Sequence, residues 1–126
     1  MAGTITVTTD KKQASAGDII TLTVRGQGLQ SVNALSFALP YDATRWEYVG
    51  VDAAGMKEMR NLTNDRLHSN GQKALYPTFV NCGEHPYLEG NTDLLVIRFR
   101  AKQKTAVNLT PQDGMILDKY LNIINW

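Results

Sequence analysis

The sequence is poor in the features that mark disulfide-stapled, membrane-spanning and nucleic-acid-binding proteins. A single cysteine, Cys82, excludes an internal disulfide. No apolar run approaches the roughly 20 residues that a membrane helix needs, so membrane insertion is not expected. Thirteen basic and twelve acidic residues give a formal net charge of +1, which argues against nucleic acid as a major partner.

Groups that carry catalysis or bind metal are also scarce. The two histidines, His68 and His85, make three possible zinc ligands with Cys82, one short of the four that a closed structural site uses. No motif supplies Cys82 with the neighbours of a nucleophile. Paired carboxylates such as Glu84 and Glu89 carry no signature of acid–base catalysis. We therefore expect no catalytic residues, no metal site and no cofactor.

Short β-type segments fill most of the chain. A length of 126 residues suffices for one domain with its own core, and we expect residues 1–3 to be a linker and residues 4–126 to form that domain. The segments alternate or are rich in β-branched residues, and no segment has the pattern of a convincing amphipathic helix. The strand segments are 4–9, 19–25, 33–41, 45–52, 73–81, 93–101, 105–109 and 115–118. This pattern predicts an all-β fold, a nine-stranded antiparallel β-sandwich with jelly-roll topology.

Glycine and proline mark the expected boundaries between these strands. Gly26 and Gly28 are predicted to end the second strand, and residues 82–92 are predicted to form a loop. Pro77 is expected to force an edge position or a bulge in the segment 73–81. Asn70-Gly71 is a two-residue turn signal. The pattern of residues 53–72 fits either short strands or an irregular excursion with a helical turn.

The segment 33–41 is the most informative about function. Its large side chains alternate with small ones, so that one side of the strand carries Leu35, Phe37 and Leu39 and the other side is small and flat. A flat face of small residues suits a docked surface better than a catalytic pocket. The alternative is that a loop of the same chain covers those small residues.

Five segments together resemble the cohesin domain family, over nearly the whole chain. They are Ala16-Gly-Asp18, Ile19–Val24, Leu35–Asp42, Trp46–Val51 and Leu94–Lys102. The chain departs from the family pattern at Ala43, where a proline is usual, and at Arg45-Trp46, where a Val-Leu pair is usual. Residues 61–73 and 118–122 are more specifically similar to cohesin-like modules of Bacteroides glycoside hydrolases, including hexosaminidase and chitobiase types.

The resemblance implies a nine-stranded jelly roll related to certain carbohydrate-binding modules, and a non-catalytic, monomeric accessory module of a secreted, periplasmic or cell-surface enzyme. Cohesins grip the helices of a dockerin on a partner protein with one sheet, which includes the strand equivalent to 33–41. The implied protein-binding residues are Asn33, Ser36 and Ala38. The implied partner is a module of another protein or another domain of the same parent enzyme.

A glycan is the second possible partner. Sugar rings stack on exposed aromatic side chains, and the candidates are Trp46, Tyr48, Tyr87 and Trp126. Trp46 and Tyr48 stand two residues apart and share one face of their strand, which is either a sugar platform or part of the core. A structural spacer between other domains is the third possibility.

Overall fold

The computed structural model of the chain describes residues 3–67, 72–83 and 87–126. In these residues it contains one 3-10 turn, Ala54–Met56, and no helix with the length and apolar character needed to cross a bilayer. It also contains twelve strands. They are β1 (Thr4–Thr9), β2 (Gln13–Ala14), β3 (Ile19–Tyr41), β4 (Trp46–Asp52), β5 (Arg60–Asn61), β6 (Asn64–Leu67), β7 (Lys73–Tyr76), β8 (Thr78–Val80), β9 (Leu88–Ala101), β10 (Thr105–Ala106), β11 (Gln112–Asp118) and β12 (Ile123–Asn125).

Strand β3 organises the fold because it belongs to both layers of the sandwich. Its first half pairs with β1 on one side and β9 on the other, and β4 completes this first layer beyond β9. Its second half pairs with β11 and β8, with β12 and β5 at the edges of this second layer. The end of β3 pairs with β7, which in turn pairs with β6. Every pairing is antiparallel, and the predicted all-β sandwich is confirmed.

The prediction that Gly26 and Gly28 end a strand was wrong. Strand β3 runs through both glycines, and its ladder with β9 shifts register on either side of Leu29. Gly28 and Ser31 have positive φ angles of 64° and 53°, which bend the strand without releasing it from β9. The glycines thus allow one strand to cross from the first layer to the second.

The predicted loop over residues 82–92 is in part a strand. Strand β9 begins at Leu88, which pairs with Val32, and Gly90 pairs with Leu29. Gly90 has a positive φ of 81°. Glycine is the usual residue for such a conformation both in loops and at irregular strand positions, so the sequence alone does not distinguish the two. Residues 84–86 lie outside the described residues.

Pro77 separates β7 from β8, as its lack of an N–H predicts. Residues 53–72 contain both predicted alternatives, a helical turn and short strands, since the 3-10 turn is followed by β5 and β6. Only Thr105–Ala106 of the predicted strand 105–109 is a strand. The Asn70-Gly71 turn lies outside the described residues.

The core lies between the two layers and contains a cluster of aromatic rings around Phe99. The rings of Tyr41, Tyr48 and Trp46 lie 4.9, 5.7 and 6.4 Å from the Phe99 ring, centroid to centroid. Phe99 is fully buried and Trp46 is 3% exposed. Of the two predicted alternatives, a sugar platform or the core, Trp46 therefore belongs to the core.

Candidate functional site

The outer surface of the second layer is a shallow, mostly apolar hollow. Six side chains from three adjacent strands line it: Ala34, Ser36, Thr78, Val80, Met115 and Leu117, together with the edge of Leu35. The register of the strands creates this arrangement, because Ser36 of β3 stands between Met115 of β11 and Thr78 of β8. One step along, Ala34 stands between Leu117 and Val80.

Strand alternation explains which side chains reach this surface. In β11 the buried Ile116 points to the core, so that Met115 and Leu117 on either side of it point outward. In β8 the buried Phe79 has the same effect on its two neighbours. Because Ala34 and Ser36 are small, the middle strand is lower than the strands beside it. The result is a hollow of about 130 Å³.

Two exposed aliphatic side chains stand at opposite edges of the hollow. The N–H of Leu62 donates a hydrogen bond of 2.8 Å to the Thr78 carbonyl, which extends the row through Ser36. Ile123 of β12 pairs with Leu117 and extends the row through Ala34. Both side chains are exposed. The six lining residues with Leu62 and Ile123 are called the apolar face below.

The β11–β12 loop, residues 119–122, follows Asp118, the last residue of β11, at the rim of the apolar face. The Asp118 carboxylate accepts hydrogen bonds from the N–H groups of Tyr120 (2.8 Å) and Asn122 (2.9 Å) and from the Asn122 side chain (3.0 Å). The Asn122 and Tyr120 donors hold the pKa of Asp118 below its usual range. The Lys119 N–H donates to the Ser31 carbonyl of β3 at 3.0 Å. The loop is thus tied to itself and to the second layer.

The outer surface of the first layer has the opposite character. Half-buried or exposed threonines alternate along β1 and β3, and three cross-strand ion pairs join β3, β4 and β9. The ion pairs are Arg25–Asp93 at 3.0 Å, Arg98–Asp52 at 2.7 Å and Arg100–Glu47 at 2.7 Å. The hydrogen bond from Arg98 keeps the pKa of Asp52 below its usual range. The charges of this surface are therefore paired within the chain, and its half-buried Ile19 and Val96 stand opposite Arg100 and Thr23 in the ladder of β3 and β9.

The three predicted protein-binding residues fall in different places. Ser36 is half-buried at the centre of the apolar face. Asn33 is half-buried beside it, where β3 bulges opposite β11, and its carbonyl accepts the N–H of Asn81 at 2.8 Å. Ala38 is 8% exposed, so its assignment to an accessible face needs correction. It lies opposite Gln112, next to a register shift in the ladder of β3 and β11.

The four predicted sugar-binding aromatics do not form a platform. Trp46 is buried in the core and Tyr48 is half-buried against Phe99, so the stacking assignment of Trp46 needs correction. Trp126 is half-buried with its ring 5.2 Å from that of Phe37. Tyr87 is exposed, as its loop-like surroundings predicted. Two of the four rings therefore pack on Phe99, one packs on Phe37, and that of Tyr87 is exposed.

A second concavity, of about 380 Å³, lies between the ends of β3, β4 and β10. Three of its polar side chains are engaged with one another, since Arg45 lies 3.5 Å from the Asp42 carboxylate and donates to the Thr105 hydroxyl at 3.3 Å. The hydroxyl and N–H of Thr44 hold the pKa of Asp42 below its usual range. The charged side chains that line it are thus paired with each other.

Potential metal and nucleophile groups remain dispersed where the structure describes them. Cys82 is exposed, and the described ranges contain no group of three or more His, Cys, Asp or Glu residues that could hold a metal ion. His68 and His85 lie outside the described residues.

Sequence reasoning identified the middle strand of the apolar face and missed its neighbours. Val80, Met115, Leu117 and Ile123 come from three other strands, and their outward orientation follows from pairing with β3. Alternation within 112–118 gave a usable signal, because Met115 and Leu117 flank Ile116.

Comparison with known proteins agrees with this arrangement of strands. The model of the cohesin domain matches residues 5–119. The chain belongs to the cohesin domain family. Cohesin domains are non-catalytic interaction modules, so this domain is an interaction module and not an enzyme. No curated protein sequence matches the chain.

Solved cohesin structures share the fold at low sequence identity. A type II cohesin, A11, from Bacteroides cellulosolvens is 14% identical, with a TM-score of 0.70, over 95% of this chain and 89% of that one. The sixth cohesin of Acetivibrio cellulolyticus scaffoldin B, solved in complex with a Cel5 dockerin mutant, is 18% identical, with a TM-score of 0.65, over 96% and 94%. A non-cellulosomal cohesin from Archaeoglobus fulgidus is 19% identical, with a TM-score of 0.59, over 87% and 75%.

Proposed function

We propose that this cohesin domain binds a dockerin-type module of another protein on its apolar face. The observation that carries the proposal is the contrast between the two outer surfaces of the sandwich. One carries half-buried and exposed aliphatic side chains in adjacent rows, while the other pairs its charges internally. Contiguous exposed apolar surface is typical of protein-binding sites.

The shape of the apolar face fits a helical partner. Ala34 and Ser36 keep the middle strand low, so that the backbone of a helix can approach closely. The aliphatic side chains of Met115, Leu117 and Val80 then border the helix. A helix that carries its own apolar stripe would bury these side chains, which is the way amphipathic helices bind to hydrophobic grooves.

Glycan binding and a spacer role are less well supported. A sugar platform needs aromatic rings that are both exposed and close together, and Trp46 and Tyr48 are packed against Phe99. A pure spacer would not need aliphatic side chains such as Leu62 and Ile123 in contact with water.

We further propose that the domain is an accessory module of a secreted bacterial glycoside hydrolase. This rests on the similarity of residues 61–73 and 118–122 to modules of such enzymes. A catalytic glycoside hydrolase domain encoded in the same reading frame is the expected finding. A reading frame without one would contradict this part of the proposal and leave protein docking unaffected.

The docking proposal is tested by titrating the domain with the dockerin-type modules that its source organism encodes. We expect at least one module to bind with a Kd of about 1 µM or tighter in calorimetry. The charged and bulky substitution Ser36→Arg, at the centre of the apolar face, should weaken that binding by about a hundredfold or more.

The matched control is Thr23→Arg, since Thr23 is also half-buried and lies on the same strand but on the outer surface of the first layer. It should leave the Kd within about twofold of the wild type, because most of the energy of an interface comes from a few residues inside it. Failure of every module to bind, or equal loss with both variants, would contradict the proposal.

A further inference from the structure

We propose that Tyr120 and Leu121 form a preorganised prong that inserts into an apolar pocket of the module bound on the apolar face and that contributes to partner selection. This inference rests on the docking function proposed above. Tyr120 is 72% exposed and Leu121 is 70% exposed, and they precede the exposed Ile123 by only two or three residues. The loop that carries them connects Leu117 to Ile123, two paired residues of the apolar face, so the prong adjoins that face.

The loop that carries the prong is fixed before any partner arrives. The Asp118 carboxylate accepts three hydrogen bonds from within the loop, from Tyr120 once and from Asn122 twice. Two backbone hydrogen bonds close the same loop, from the Asp118 N–H to Asn122 and from the Leu121 N–H to Asp118, each 3.1 Å long. A loop whose backbone is held in place in this way loses little conformational freedom on binding, which favours affinity.

Leu121 stands in a backbone conformation that does not suit leucine. Its φ angle is 66°, in the left-handed region, where glycine and asparagine are favoured and a bulky side chain is strained. The same side chain is exposed, so burial in the core does not offset the strain. Residues kept in strained conformations are concentrated at functional sites. We therefore assign the exposed Leu121 side chain to partner binding.

The groups next to the prong indicate what kind of pocket would receive it. The Lys119 ammonium lies 5.0 Å from the centroid of the Tyr120 ring, over its face. The aromatic ring therefore presents its other side and edge to a partner, with a positive charge beside it. We expect the pocket of the docked module to be lined by aliphatic side chains and to carry a carboxylate at its rim that pairs with Lys119.

The substitution Leu121→Asn separates binding from folding. Asparagine tolerates the left-handed conformation, so the melting temperature should stay the same or rise. Binding to a dockerin-type module should weaken by about tenfold or more, because the apolar side chain is lost. Unchanged affinity in Leu121→Asn, beside a large loss in Ser36→Arg, would overturn the prong and leave the docking function standing.

A photo-crosslinking experiment tests the prong even where the sequence of the partner is unknown. Benzoylphenylalanine replaces Tyr120, Leu62 at the opposite edge of the apolar face, or, as the control, the exposed Thr8 of the first layer. The domain is irradiated with the secreted proteins of the source organism, and the crosslinked peptides are sequenced. We expect positions 120 and 62 to capture the same dockerin-type module, and position 8 to capture nothing above background.

Capture at position 62 alone would overturn the prong and retain the docking function. Capture at neither position above the level seen at position 8 would overturn both. Capture at position 120 alone, or of different proteins at positions 120 and 62, would contradict the inference as stated, because the prong and the apolar face would not share a partner.

Discussion

The hydroxyl of Tyr41 donates a hydrogen bond of 2.7 Å to the carboxylate of Asp65. The other carboxylate oxygen lies 3.0 Å from the Lys73 ammonium. Tyr41 is buried at the end of β3, whereas Asp65 and Lys73 belong to the edge hairpin of β6 and β7. This arrangement satisfies a buried hydroxyl and fastens the hairpin to the sandwich.

Replacement of Tyr41 by phenylalanine should therefore destabilise the domain. We expect a loss of about 1 to 2 kcal/mol in the free energy of unfolding, because the acceptor is charged and only partly solvated. Urea denaturation followed by circular dichroism measures the loss. Tyr120→Phe, on an exposed tyrosine, is the control, and equal stability of the two variants would show that the hydrogen bond contributes nothing.

Stability should fall in alkaline solution because of two tyrosines. Burial raises the pKa of Tyr41 and of Tyr48 above the ordinary value of about 10, and the Asp65 charge raises both further. Above pH 10 these tyrosines ionise in the unfolded chain before they ionise in the folded one, so their stabilising contribution is present below pH 10 and is lost as the pH rises.

Unfolding measured from pH 8 to pH 11 tests this expectation. The decline should be shallower in the variants Tyr41→Phe and Tyr48→Phe than in the wild type. A decline of the same steepness in all three proteins would mean that other groups cause it.

Removal of the Phe99 ring should be among the most damaging single changes. Phe99 is fully buried and its ring contacts those of Tyr41, Trp46 and Tyr48. The cavity left by Phe99→Ala should cost about 3 to 5 kcal/mol of unfolding free energy. The comparison variant is Val49→Ala, whose exposed side chain should change stability by no more than about 0.5 kcal/mol. A cost below about 1 kcal/mol for Phe99→Ala would contradict the central place of this ring.

A methyl group on Gly114 should displace Trp126. The added carbon would overlap the indole ring, and the Trp126 backbone N–H now donates a hydrogen bond of 2.9 Å to the Gly114 carbonyl. In a Trp46→Phe background, Gly114→Ala should shift the Trp126 fluorescence to longer wavelength and increase quenching by acrylamide. Gly50→Ala is the control, because nothing lies within 4 Å of a methyl group placed there. An unshifted spectrum would refute the packing of Trp126 on Gly114.

The regular strands of this fold could be predicted from the sequence, and the irregular ones could not. Alternation identified the strand around Ile97 and the buried side of Ile19–Arg25, since period-two patterns report directly on burial. The continuity of β3 through Gly26 and Gly28 was missed because a glycine at a bulge and a glycine at the end of a strand look alike in a sequence.

The candidate site was only partly predictable for a related reason. The small outward residues Ala34 and Ser36 follow from alternation within one segment. Their neighbours Val80 and Met115 lie about 45 and 80 residues further along the chain, and only the register of the ladders brings them together. Ala38 shows the opposite limit, because alternation places it on the same side of β3 as Ala34 and Ser36, yet it is buried beside a register shift.

The measurement that most directly tests docking on the apolar face is a methyl NMR titration with the dockerin-type module that binds most tightly. The apolar face carries the methyl groups of Val80, Met115 and Ile123, and the first layer exposes part of Val96 and Ile19 in the same way. We predict the largest shift changes and line broadening at Val80, Met115 and Ile123, with Val96 and Ile19 nearly unchanged. The largest changes at Val96 and Ile19 would contradict the account.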